Sequence, residues 1–444
     1  GSVVVLCQAW VAPAVLRGLK SAVAMVSNYA LLAVAVGVVQ TAKTLPTPLR
    51  ELLLVGVCFG AILGSTIMQQ AEKERGPGPQ PPKGWRWFNH QGVAEGASSK
   101  TSSKDRSSEV MSYTGDEAEL PKDSLGIALV PGNPGIPHFY CPFGEQLHKA
   151  LLAEGVGPVA IYTVGYPNFS TTAAAKTEAQ GVAPIDDEAS IISEVLDELA
   201  AQHGRGLVLL GHSIGAWMVL QHLLRKNRHG DDHGQKHLRS VPMAFLAMPF
   251  LEVFDNWKQR LLFCLVAFPL FSGLARVAAL TLLALPLWAR PWVLRLMVGP
   301  AAGSAREEVA TATFLDQPHH GMGVLLMLKS ELERLNPAIT RDAGFGELKA
   351  LLQAPNRPPV VGLYTHGDSW APEAHFDRFR ALLGEGDEVM DLGSGDFVAR
   401  CGGKPPPHDF VMEDAYLGPM AELVAKHVTS HLRDGSGGGN RKEA

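Results

Sequence analysis

Apolar residues are distributed along this chain in three distinct ways, and each predicts a different kind of structure. From residue 125 onward, short apolar runs recur at 125–130, 159–162, 207–210, 241–247 and 360–364, with a weaker last run at 388–392. Runs of that length, bounded by Gly, Pro and polar residues, suit strands buried on both faces of a sheet. Ile191, Ile192, Val195, Leu196 and Leu199 repeat at helical spacing just before 207–210. The alternation of strand and helix predicts a mostly parallel central sheet.

Elsewhere hydrophobicity is continuous. Residues 21–40 form an uncharged run long enough to span a bilayer, and 52–68 form a second, shorter candidate. Between them lies the turn-like Thr44-Leu45-Pro46-Thr47-Pro48. A hydrophobic helical extension over 1–71 is expected, as a membrane hairpin or anchor, as a helical pair packed on the rest of the chain, or as a cleaved targeting segment. The start Gly1-Ser2, without methionine, suggests a processed, truncated or engineered terminus. A second concentration covers 261–271, 277–288 and 292–294, punctuated by Arg276, Arg290 and Arg295 and containing Trp288 and Trp292. Apolar helices bounded by cations and indoles suit a lid lying in a lipid interface, or a cap over an apolar acyl tunnel.

The stretch 72–123 shows neither pattern. It is rich in Pro, Gly, Ser and Lys, which cannot supply a core, and reads as a disordered linker interrupted by Trp85, Trp87 and Phe88. The Gly-rich tail 434–444 is expected to lie outside the fold. The core is therefore expected in two parts, 124–250 and 346–433, with a helical cap from 251 to 345 between them.

Composition narrows the function. A formal net charge of −5 gives no global basic surface and no electrostatic case for nucleic acid. Five cysteines lack metal-type spacing, and their odd number fits reduced thiols and a cytosol-facing catalytic domain. His229, His233 and His237 are spaced four apart, but Gly230 and Gly234 interrupt the helix that would align them, so a surface connector is expected instead. No metal or organic cofactor is expected, and the sequence sets no oligomeric state.

The chemistry centres on Gly211-His212-Ser213-Ile214-Gly215, which follows one predicted strand and opens a predicted helix. That is the context of a nucleophile elbow, in which glycines allow a turn too sharp for side chains and lift the serine hydroxyl out at the strand end. The Ile214 amide would then face the forming oxyanion. The loop after 125–130, Pro131-Gly132-Asn133-Pro134-Gly135, is placed to supply a second donor. Because Pro134 has no amide hydrogen, Asn133 is the better candidate, by its backbone and possibly its side chain. Asp368, after 360–364, is the chosen triad carboxylate, with Asp255 and Asp316 as rivals. His408, after the last strand, is the chosen base; His366 shares the acid's loop, and His212 sits beside the nucleophile without being able to turn onto it. The order Ser213, Asp368, His408 is that of α/β-hydrolases.

These blocks, together with Phe139-Tyr140, Phe143, Gly367-Asp368-Ser369-Trp370-Ala371-Pro372 and His408-Asp409-Phe410-Val411, resemble the lipid droplet-associated hydrolase family over about 125–432. The resemblance implies an α/β-hydrolase fold and a Ser213-Asp368-His408 triad. It also implies esterase action on neutral lipid or sterol esters, and residence on lipid droplets and endoplasmic reticulum through an apolar insert. The acyl ester lipid and the droplet or membrane surface are then the expected partners. A second expectation is a droplet or membrane organiser whose hydrolase domain is weakly active or structural. Acyl transfer to an alcohol other than water would use the same residues.

Overall fold

The computed structural model describes residues 81–88, 108–115, 121–169, 183–228, 240–253, 318–340, 343–354, 356–384 and 386–437, with Leu238 and Gln259 as isolated positions. The apolar extension, residues 1–71, lies outside the described residues, as do the apolar runs between 261 and 294 and the connector histidines. Among the described residues no helix is long and apolar enough to cross a membrane.

In chain order the elements are β1 (Trp85–Phe88), β2 (Val110–Tyr113), β3 (Leu125–Val130), α1 (Cys141–Ala153), β4 (Val159–Val164), α2 (Ile185–Ala201), β5 (Leu207–His212), α3 (Ile214–Arg228) and β6 (Ala244–Ala247). They continue with α4 (Pro318–Arg334), α5 (Gly344–Leu352), β7 (Val360–Tyr364), α6 (Glu373–Leu382), β8 (Glu388–Asp391), α7 (Gly395–Arg400) and α8 (Asp414–Gly437). Eight strands form one sheet in the order β1-β2-β4-β3-β5-β6-β7-β8. The pairs from β4 to β8 are all parallel, and β2 joins β4 antiparallel. β3, β4 and β5 are buried at every position, as expected of central strands with helices on both sides. α1 packs on α8, while α2 and α5 pack on α3.

The crossovers place the site. From β3 the chain passes through α1 to β4 on one side, and from β4 it passes through α2 to β5 on the other side of β3. The loops leaving β3 and β5 therefore diverge, and a crevice opens between them at the carboxyl ends of the strands. Val130 pairs with Gly211 at that end, so Pro131-Gly132-Asn133 and Ser213 emerge side by side.

Three expectations are corrected. The stretch 72–123 is not linker throughout: β1 and β2 extend the sheet, and Trp85 is buried with its Nε1–H donating to Glu145 (3.0 Å). Average composition hides such strands, because a few buried side chains anchor a four-residue strand whatever its flanks contain. Likewise α8 continues to Gly437, into the stretch 434–444 expected outside the fold, and α5 spans the expected cap boundary at 345.

Candidate active site

Ser213 sits between β5 and α3 with φ of 55°, a left-handed conformation that a non-glycine residue adopts only when its surroundings enforce it. Its N–H donates to the Ala247 carbonyl (3.0 Å), and its own carbonyl accepts from Phe250 N–H (3.1 Å), so the end of β6 grips the turn from both sides. A Cβ on Gly211 would meet the Gly215 carbonyl oxygen at 2.5 Å, and one on Gly215 would collide with the Pro131 and Val130 carbonyls. Both glycines are therefore steric requirements of the turn.

His408 reaches this serine from the loop before α8. Its Nε2 lies 2.8 Å from Ser213 Oγ, and its Nδ1 lies 2.6 Å from Asp368 Oδ2. The other carboxylate oxygen of Asp368 accepts the amides of Trp370 (2.7 Å) and Ala371 (3.1 Å). Burial pushes the Asp368 carboxyl up, but the hydrogen bond and charge of His408 and the two amides outweigh it and hold the group below the usual carboxylate range. An ionised carboxylate at Nδ1 fixes the imidazole tautomer that leaves Nε2 able to take a proton. Gln259, a buried residue, donates to the Ser369 carbonyl (2.8 Å) and braces the loop that carries Asp368.

The start of α3 and the loop after β3 flank the serine. Ile214 N–H is at the first turn of α3, where amides have no carbonyl one turn back. A Cβ on Gly132 would stand 3.0 Å from Ser213 Cβ, so this loop runs directly beside the nucleophile. Gly132 N–H is committed to Tyr140 Oη (2.8 Å), and the Asn133 side-chain amide donates to the Val324 carbonyl in α4 (3.2 Å). The Asn133 side chain thus ties the loop to α4. Beside it, burial pushes the Glu331 carboxyl up to about 8, against a lowering hydrogen bond from Asn133.

The structure therefore brings Ser213, Asp368 and His408 into one hydrogen-bonded run, with Asn133 and Ile214 flanking the serine. His366 instead faces Asp391 (2.9 Å), and Asp255 and Asp316 lie outside the described residues. The sequence reading missed Tyr140, Gln259 and the bonding role of His212. Tyr140 stood in the aromatic block Phe139-Tyr140, but nothing local announced its partner 72 positions along the chain. Among the described residues no group of three His, Cys, Asp or Glu side chains converges as metal ligands would.

A mostly parallel sheet with a strained serine on the strand-to-helix turn after β5, at the point where the crossovers diverge, defines an α/β-hydrolase. A family model for lipid-droplet associated hydrolases matches residues 123–411. The chain belongs to that family, and its class is hydrolase. A relative named lipid droplet-associated hydrolase in Drosophila melanogaster is 23% identical over 314 residues, which cover 69% of this chain and 90% of the relative. One of the same name in Mus musculus is 25% identical over 150 residues, covering 31% of this chain and 41% of the relative. Among solved structures, a putative epoxide hydrolase from Pseudomonas aeruginosa aligns with a TM-score of 0.48 and 12% identity, covering 80% of this chain and 99% of its own. A thermophilic esterase from Thermogutta terrifontis aligns at 0.40 and 14% identity, covering 73% and 94%. Similarity of this degree says nothing about substrate.

Proposed function

We propose that the protein is a serine ester hydrolase acting on an acyl ester lipid at a droplet or membrane surface. The observation that carries this reading is the continuous run from Ser213 Oγ through His408 to an ionised Asp368. His408 takes the Ser213 proton as Oγ attacks the ester carbonyl, and the Asn133 and Ile214 amides hold the resulting oxyanion. His408 then passes that proton to the departing alcohol and activates a water, which releases the acid and restores Ser213. The names of the two relatives support the lipid surface, and the apolar, Trp- and Arg-bounded runs between 261 and 294 supply a means of reaching it. In this reading the catalytic core faces the cytosol from droplets and endoplasmic reticulum.

The test is labelling by a fluorescent fluorophosphonate in droplet and membrane fractions, followed by release of fatty acid from emulsified triacylglycerol and sterol ester. Wild type is expected to label, and Ser213→Ala and His408→Ala are not. A folded wild-type protein that stays unlabelled overturns the proposal. Droplets whose size responds equally to wild type and Ser213→Ala would favour an organiser instead.

A further inference from the structure

His212 and Tyr140 lie outside the proton path, yet their buried polar atoms join three parts of the site. Gly132 N–H donates to Tyr140 Oη (2.8 Å), Tyr140 Oη lies 2.6 Å from His212 Nδ1, and His212 Nε2 lies 2.7 Å from the His408 carbonyl oxygen. Chemistry fixes the direction of every bond. A carbonyl can only accept, so the His212 proton is on Nε2. In a neutral ring Nδ1 then carries a lone pair, and the Tyr140 hydroxyl must donate to it while accepting from Gly132.

Neutrality is enforced by the surroundings. Burial, reinforced by the neighbouring His408 imidazole, lowers the His212 imidazole to about 3, and burial keeps the Tyr140 phenol protonated. Phe410 stands edge-on to His212 with centroids 5.3 Å apart, and both relay residues are nearly inaccessible, so neither ring can turn to other partners.

We propose that Tyr140 and His212 are positioning residues that lock the oxyanion loop, the elbow and the main chain of His408 into one register about Ser213. The inference rests on the ester hydrolase reading for its catalytic consequence, though not for the relay itself. Two effects follow from the geometry. Holding the Gly132 amide leaves the next one, on Asn133, as the loop's donor. Holding the His408 carbonyl steadies a loop that contains Gly402, Gly403 and three prolines, from which the imidazole must reach Ser213 within 2.8 Å.

Side-chain replacements separate the two halves of the relay. In His212→Gln the amide nitrogen can take the place of Nε2 and keep the bond to His408, whereas in His212→Asn the amide oxygen can take the place of Nδ1 and keep only the bond to Tyr140. We expect the fluorophosphonate labelling rate and the kcat for p-nitrophenyl butyrate to stay within about threefold of wild type in His212→Gln. In His212→Asn both should fall by about 10², and in Tyr140→Phe by about 10, with KM changed less than about twofold, as misplacement of a reacting group requires. Equal losses in His212→Gln and His212→Asn, or wild-type rates in all three folded variants, would overturn the positioning role. Nitrogen-15 NMR of the imidazoles provides a readout independent of catalysis. His212 should show a proton on Nε2 and no titration between about pH 5 and 8, where an ordinary histidine titrates. A proton on Nδ1, or titration in that range, refutes the relay, whereas an unlabelled wild type with the expected His212 signal refutes only the hydrolase reading.

Discussion

Ser213 is held in a conformation its side chain disfavours, and the chain arranges for it by bonding the residue to the end of β6 and to the loop that follows, and by placing glycines where any Cβ would collide. The turn presents Oγ to His408 Nε2 at 2.8 Å. Asp368 is the residue on which this readiness depends most sensitively. Its two oxygens are divided between His408 Nδ1 and the Trp370 and Ala371 amides, so Asp368→Asn forces either an amide group against those N–H donors or the wrong tautomer onto His408. Turnover of p-nitrophenyl butyrate is expected to fall by about 10⁴ with the fold intact, since an amide in this position stabilises no imidazolium. A loss of tenfold or less, measured alongside an unchanged melting temperature, would mean that Asp368 is not the acid.

The elbow helix α3 must stay fixed if Ser213 is to stay strained, and its anchor is a polar contact with α5 and α4. Trp217 Nε1–H in α3 donates to Glu347 Oε2 in α5 (2.8 Å), and the other oxygen of Glu347 accepts from Arg334 in α4 (2.6 Å). Arg334 also stacks 5.2 Å over the Trp217 ring. Glu347→Ala leaves a buried indole N–H without its acceptor and a cation without its main counter-charge. Loss of a fully buried pair costs about 3–5 kcal/mol, and because Arg334 is partly exposed we expect roughly 2–3 kcal/mol here, read from urea unfolding. Double substitution with Trp217→Phe should cost less than the two single changes summed, because they share one bond. At this scale the sequence announced β3, β5, β7 and the helix before the elbow, whose apolar patterns are strong and local. It did not announce β1 and β2, because the pairing of β2 with β4 and of β1 with β2 is decided by neighbours in space rather than by their Ser- and Pro-rich flanks.

For the whole molecule, buried ionisable groups set opposing limits on stability. Burial lowers His203 and His375 to about 4 and His212 to about 3, against an ordinary value of 6.5. Between those values the unfolded chain binds protons that the folded one refuses, so stability falls as pH drops below 6.5. Glu331 acts in the opposite sense. Burial raises it from 4.5 to about 8, so the folded state holds a proton that the unfolded chain has released, and stability declines as pH rises through that window. Among the described residues, three histidines outweigh one glutamate from 4.5 to 6.5, and above 6.5 the glutamate dominates. Stability is therefore expected to peak near 6.5, and to lose about 1–2 kcal/mol between there and pH 8 at roughly 1.4 kcal/mol per unit. Glu331→Gln should abolish the alkaline decline in melting temperature and leave the acid limb in place. A decline that persists in this variant would assign it to another group.

The sequence by itself determined the alternation of strand and helix, the site of the elbow and the residue types of the proposed triad. Each of these is written in short-range pattern: a buried run, a pair of glycines two positions either side of a serine, an acid and a histidine after successive late strands. Only the tertiary structure decided which side chains meet. It joined His408 to Asp368 from 40 positions away, committed the Asn133 side chain to the Val324 carbonyl of α4, and turned His212 from a bystander of the motif into a donor to the His408 carbonyl. The physical reason is that a hydrogen bond between elements depends on where the crossovers of the sheet deliver each loop. That placement is a property of the packed molecule, and no stretch of sequence carries it alone.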